Sequence, residues 1–560
     1  MGANMIRRAW ASVVQENADS QEGARFDGQH LTALLVSLAA AVYFLWASYD
    51  FGIRHEFHEV MPDAIESHNV SVATAITELA HDVSAGYVAH GEVLAALRRN
   101  GMSFFPDFLG PIGKFHPDVL REPETMNAAL RAARDAGSLG PMSLADGTMA
   151  PMVAEDLGQA DFYKLALVLF GYDVRGFFDA YFVLLALSMA AFAAAFARWP
   201  SALLVLVAFG VGHCFAMTYI ATFGWSPQES SPNAMIQLAT VHNRRFMSAL
   251  GILPVLHIAL ALWLRVKLKP LSAVSLSIQV LLLMFVMTVR ASIVYGLIFV
   301  VALCLAMVWK RWRRREGGRS GFGAFRALWF WPVPIIVAGY AVLSIYRAVA
   351  IHPLYSTMDE YIPHHLVWHS AYYGLTYHPD WQERFAATHD FASGDQVPFK
   401  GAALYLAKAV GLGEGYTTVG PGKGIRWRTH ERVVRRAYAD FVTENPGFAA
   451  GLHVWHKPRA LVENFFDSVA KARHVVSGLG VVVGAVLCFL AAASVGVVRG
   501  GGPWDPILLT VGGGCASLLP VVFAYPVHHG VGDQMIWLMM ALVLAALGSI
   551  GTILRVVRHR

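Results

Sequence analysis

Glu155 and Asp156 stand just ahead of Asp161, Tyr163 and Lys164, and an apolar run to residue 171 follows. An acidic pair one amphipathic turn ahead of such a run suits the edge of a membrane. A carboxylate held there can take the proton of a hydroxyl acceptor, and partial burial raises its pKa towards the working range. Asp156 is the candidate base, with Glu155 beside it. The alternative is a solvated loop carboxylate, or a cap for a helix starting near Asp161. Asp161, Tyr163 and Lys164 would then line a substrate groove.

Anion-binding chemistry has its own candidates. Arg290 interrupts a long apolar stretch, where a guanidinium must face protein, water or an anion. It reads either as a bidentate ligand for a lipid phosphate or as a turn residue snorkelling to headgroups. Arg244 and Arg245 could serve the same anion. Arg426 and Arg428 open a basic cluster that reaches Arg436. That cluster fits a pyrophosphate or an anionic glycan, and equally a solvated helix face. The run from Gly420 to Gly424 lacks the Ser or Thr and the preceding strand of a phosphate loop, so it is set aside.

His365 and His369 are four apart, which on a helix puts both on one face, as two zinc ligands require. The intervening Leu366-Val367-Trp368 lacks the glutamate of a metalloprotease helix, and spacing fixes no third ligand. Hydrogen-bonding histidines in a polar groove, with Trp368 and Tyr372 as stacking surfaces for a sugar, are the preferred reading; packing of an interfacial layer is the other. His55, Glu56, His58 and Glu59 raise the same metal question. No metal ligand set is assigned, and a divalent cation stays open as a requirement.

The elements that must position these residues are membrane helices. The chain has 560 residues, of which 56% are hydrophobic and 15% charged, a balance that excludes an ordinary soluble protein. Apolar runs of about 20 residues, the length that crosses a bilayer, fall at 31–49, 177–197, 201–223, 246–264, 329–345, 475–498, 507–525 and 535–554. The run 271–309 is too long for one span, and basic clusters flank both of its ends. Both ends are therefore cytoplasmic by the positive-inside rule, and the run crosses twice with Arg290 at the far turn. The expectation is an all-α polytopic membrane protein with about ten transmembrane helices and both termini cytoplasmic. Residues 1–30 form a cytoplasmic tail, 31–49 the first span, and 176–346 spans two to seven. Residues 475–560 hold the last three spans and a basic tail. The segments 50–175 and 347–474 lie outside the cytoplasm and are mainly helical, with periodic apolar residues at 75–97, 161–170 and 431–442. All four cysteines fall inside apolar runs, so no disulfide framework holds the outer segments.

A first span, a long outer segment, an acidic pair, a Tyr-containing interfacial helix over 161–171 and a second span resemble the front of a GT-C superfold glycosyltransferase. The resemblance covers residues 30–200. It implies a polyprenyl-phosphate sugar as donor, a glycan or glycolipid acceptor, and work on the outer face of a bacterial inner membrane in cell-envelope polysaccharide synthesis. It implies Asp156 as the base. The family's carboxylate usually follows the first span closely, so Asp50 stands as the rival. Membrane lipids are the other expected partners; nucleic acid is not one. Two other classes compete: an O-antigen ligase or polymerase type, which would depend on the Arg- and His-bearing second segment, and a lipid or glycan transporter. A metal-dependent hydrolase is a weaker alternative.

Overall fold

The computed structural model describes residues 27–55, 75, 79, 127–128, 131, 134–135, 142–143, 149–150, 157–173, 175–223, 247–264, 266, 269–290, 293–313, 333–350, 367–381, 383, 396–410, 427–472, 479–497, 504–523 and 531–559. These residues are helical apart from short connections and a two-residue antiparallel ladder, in which β1 (Met142–Ser143) pairs with β2 (Met149–Ala150). In chain order the helices are α1 (Gly28–His55), α2 (Leu157–Phe170), α3 (Arg175–Phe196), α4 (Pro200–Phe223) and α5 (Ile252–Trp263). Then come α6 (Pro270–Val289), α7 (Val294–Arg313), α8 (Val333–Ala350), α9 (Val367–Tyr373) and α10 (Gln396–Val410). The chain continues through α11 (Trp427–Glu444), α12 (Pro446–Gly451), a π turn (Leu452–His456) and α13 (Lys457–Ala472). It finishes with α14 (Leu479–Val497), α15 (Trp504–Phe523) and α16 (Val531–His559).

Among the described residues, six helices are long and apolar enough to cross a membrane, namely α1, α3, α4, α6, α15 and α16. Four shorter apolar helices follow the same composition, at Ser248–Leu264, Val294–Met307, Val333–Tyr346 and Gly480–Gly496. The expected spans at 271–309 resolve as α6 and α7, with Arg290 at the cap between them. The protein is thus an all-helical chain of the multi-pass membrane type. Local sequence sets the boundaries. Pro270 opens α6 and Pro446 opens α12 at positions whose N–H has no intrahelical partner anyway. Gly171, at φ 75°, ends α2 in the left-handed region, and its N–H is bonded to the Leu167 carbonyl at 2.9 Å.

The helices alternate in direction, which the cross-helix contacts establish. The C-terminal end of α1 meets the N-terminal end of α3 through Tyr49 Oη donating to Asp179 at 2.7 Å. It runs parallel to α4, because Gly210 faces Ala41 and Phe44 while Gly52 faces Met217. The start of α16 lies against α4, α15 and α7: Gly212 faces Ile536, Gln534 Nε2 donates to the Ser517 carbonyl at 2.7 Å, and Trp537 Nε1 donates to Tyr295 Oη at 2.9 Å. Gly251, just before α5, faces Ile293 and Val286. Tyr43 Oη donates to the Gly480 carbonyl at the start of α14. One end of the bundle, the Arg290 end, therefore gathers the ends of α1, α4, α6, α8 and α15 and the starts of α3, α5, α7, α14 and α16. Both long segments leave the bundle and rejoin it there.

The bundle core is apolar, and hydrogen bonds link several of its buried polar groups across helices, as a low-dielectric interior favours. His213 is hydrogen-bonded at both ring nitrogens, to Ser48 at 2.7 Å and to Tyr181 at 2.8 Å. Gln279 donates to the Ser188 carbonyl at 2.7 Å and accepts from its hydroxyl at 2.9 Å, which joins α6 to α3. Large apolar side chains are exposed along α8 (Val337, Val342, Ile345) and α14 (Val482, Val486, Phe489). On a soluble protein such stripes would drive aggregation; on a membrane protein they face lipid. A separate core, with Trp381, Val434, Phe448 and Leu452, sits inside the α9–α13 layer. That layer docks on the Arg290 end through Leu461, which packs with Val521 and Leu518 of α15.

Candidate functional site

Arg290 caps α6 in an extended conformation, with its N–H donating to the Val286 carbonyl at 2.7 Å. Its side chain is 3% exposed, so it does not snorkel. The Asp533 carboxylate, in the first turn of α16 and 4% exposed, lies within electrostatic reach of the guanidinium and accepts the Tyr295 hydroxyl. With Trp537 donating in turn to Tyr295, three helices converge on one buried, charged network. Such a network is stable only when its members satisfy one another. The first-turn position also lets the α16 dipole favour the carboxylate.

Helix α2 lies beside this network. It begins at Leu157, a turn earlier than the sequence suggested. Gly158 sits directly against Thr288 and the backbone of Val289, the residue before Arg290, where no Cβ would fit. One turn on, Asp161 accepts the Tyr346 hydroxyl from the end of α8, at 2.7 and 2.6 Å to its two oxygens. Burial pushes the Asp161 carboxyl above the usual carboxylate range, against the opposing pull of that hydrogen bond and of Lys164. Tyr163 is 1% exposed and packs edge-on to Phe177, so it belongs to the core and lines no groove. Lys164 is half-buried. Asp50 is half-buried near the end of α1, next to Tyr49, which Arg175 and Asp179 hold by hydrogen bonds.

Glu155, Asp156, Arg244, Arg245, Arg426 and His365 lie outside the described residues, as do residues 56–59 and the side chains of Arg428 and His55. His369 meets a histidine that spacing did not suggest: its Nδ1 is 3.1 Å from His430 Nε2. Burial, with His369 adding to it, pulls His430 down to about 3, so its ring is neutral at ordinary pH. The adjacent Glu431 accepts the N–H groups of Trp368 at 2.7 Å and His369 at 3.1 Å, and thereby caps α9 from α11. Trp368 is half-buried against Tyr438. Tyr372 is 4% exposed in the layer's core, where a sugar cannot stack on it. Among the described residues no group of three or more His, Cys, Asp or Glu could hold a metal ion.

Sequence reasoning passed over Asp533, Tyr295 and Trp537. A usable signal was present for the first: an acid at the mouth of an apolar span with no Lys or Arg within six residues. Comparison with protein families, with curated proteins and with solved structures finds no match to this chain.

Proposed function

We propose that this chain is an integral-membrane glycosyltransferase that moves a sugar from a polyprenyl-phosphate donor to a glycan or glycolipid acceptor. The observation that carries the reading is the seat of α2. Gly158, two residues after Asp156 in the chain, rests on Val289, next to the buried Arg290. A helix led by an acidic pair and a buried guanidinium thus share one end of the bundle. In this reading a carboxylate takes the acceptor hydroxyl proton, the oxygen attacks the anomeric carbon, and the lipid phosphate leaves. A cationic group beside the leaving phosphate would stabilise its developing charge. Asp156, Asp161 and Asp50 are the candidate bases, with Glu155 next to Asp156. Arg244, Arg245, Arg426 and Arg428 are further candidates for the anion.

Sidedness follows from charge in the same reading. Arg198, Lys269 and Arg555 lie at the end of the bundle opposite Arg290. Basic residues favour the cytoplasmic side, so the Arg290 end and both long segments face outward, on the periplasmic side of an inner membrane.

The test is turnover in nanodiscs. Purified protein is given a panel of polyprenyl-phosphate sugars, and release of polyprenyl phosphate is followed with and without chelator. Release with at least one donor, lost in Asp156→Asn or Asp161→Asn while the variant stays folded, supports the proposal and assigns the base. Survival in chelator removes a divalent cation from the mechanism. Folded protein with no turnover on any donor points instead to a ligase of pyrophosphate-linked glycans or to a transporter.

A further inference from the structure

The rod formed by α12, the π turn and α13 crosses the Arg290 end, and its surface divides into three arcs. One arc is buried: Lys457 at 0%, Leu461 at 7% and Phe465 at 6% exposure, with Phe465 and Val469 packed into the bundle core. A second is polar and exposed, with Arg459 paired to Glu463 at 2.7 Å and Asp467 one turn on. The third is apolar and exposed: Trp455 at 61%, Val462 at 52% and Phe466 at 63%. Val462 and Phe466 are four apart, and Trp455 precedes Val462 by seven, so the three share one side of the rod. The apolar arc of this helix is wider than the part that protein covers.

The rod rests on the end of α15, a helix that carries exposed apolar side chains. Leu519 is 41% exposed and Phe523, the last residue of that helix, 59%. The Phe523 ring stacks on His453, the neighbour of the exposed Val454, with centroids 6.0 Å apart. Exposed apolar side chains thus occur on both sides of this junction, at the end of α15, a helix of membrane-crossing length, and on the rod next to His453.

We infer that α13 is an interfacial helix. Trp455, Val462 and Phe466 sit at the boundary between headgroups and acyl chains of the leaflet at the Arg290 end, and Arg459, Glu463 and Asp467 remain in the headgroup water. An amphipathic helix in this position buries its apolar side about 5–10 Å into the boundary, and a Trp is favoured there because its ring is apolar and its N–H is not. The bilayer then holds the α9–α13 layer at a fixed height over the bundle. This inference needs only that the chain spans a membrane and is independent of the proposed reaction.

Two measurements test it. Nitroxide labels at Trp455→Cys, Val462→Cys and Phe466→Cys, in protein whose four native cysteines are replaced by serine and which sits in nanodiscs, report access to oxygen and to a water-soluble nickel chelate. Labels at Leu519→Cys and Arg436→Cys give the lipid and water references. Oxygen access near that of Leu519, with little nickel access, is expected. Nickel access near that of Arg436 overturns the inference, and so does low access to both reagents, which would mean that protein covers the arc. The native chain gives a second reading that needs no substitution. A diazirine phospholipid should label the peptide 452–467 on Trp455, Val462 or Phe466 upon irradiation, and absence of label there, with label on Leu519 or Phe523, overturns the inference.

Discussion

At the scale of single residues, the electrostatic coupling of the buried Arg290 and Asp533 is the most consequential interaction. Taking one partner away strands the other charge in the core, which costs about 3–5 kcal/mol. Asp533→Leu and Arg290→Met should therefore each lower the thermal midpoint in detergent by well over five degrees. The double variant should recover most of the loss, since an apolar pair of similar volume tolerates burial. Recovery in the double variant distinguishes a mutual pair from two unrelated core residues. Lys457 makes a different prediction. Burial brings its ammonium from 10.5 down to about 7, while its Nζ reaches the Val521 carbonyl at 3.4 Å. Between those two values the unfolded chain binds the proton and the folded chain does not. Stability should thus rise as pH climbs from about 7 towards 10.5 and be lost as pH drops through 7. Lys457→Met should flatten that slope and match or exceed the parent midpoint near pH 7, as read by thermal unfolding across the range. Of these residues Arg290 was the most legible in the sequence, because a lone charge in an apolar run announces itself. Asp533 is 243 positions away and reads locally as a helix cap, and nothing along the chain ties the two together.

At the scale of elements, α2 is positioned by the absence of a side chain at Gly158. A Cβ there would collide with Thr288 and with backbone that cannot yield. Gly158→Val should lift the start of α2 off α6 and reduce turnover in the nanodisc assay at least tenfold. Hydrogen exchange should rise in α2 while α1, α4 and α16 keep their protection. The clasp between α9 and α11 should respond to acid. His430 is held neutral by its apolar surroundings, with His369, Glu431 and Phe399 around it. The unfolded histidine gains its proton near 6.5 and the folded one near 3. The clasp should therefore weaken as pH falls from 6.5 towards 3. Faster exchange in α9 and α11 over that window would show it, and His430→Phe should blunt the response. Hydropathy and proline placement marked out the helices themselves. The pairing of His369 with His430 was not legible, because the two stand 61 residues apart and local spacing pointed to His365.

For the whole molecule, the alternation of helix direction is the property most open to direct measurement. If charge sets sidedness as proposed, Arg436→Cys should react with a membrane-impermeant maleimide in intact spheroplasts, and Arg198→Cys should react only after lysis. The reverse pattern would turn the molecule over and move both long segments into the cytoplasm. Much of this architecture could be read from the sequence, because burying an unpaired backbone in lipid is so costly that each crossing must be a nearly unbroken apolar helix. The site was less legible, since its members come from three helices and their contacts belong to packing, which no local pattern encodes. The same packing bears on how the chain is made. The first helix, α1, finds its parallel neighbour α4 only after the intervening 144 residues have been synthesised. Its contact at Gly480 waits for a residue 437 positions beyond Tyr43. At about 5–20 residues per second that is a wait on the order of 20–90 s. Through that interval α1 stands in lipid or against the insertion machinery with its small residues Ala40, Ala41 and Ser48 unburied. A ribosome halted before α14 would release a bundle with an open side, a natural substrate for membrane quality control.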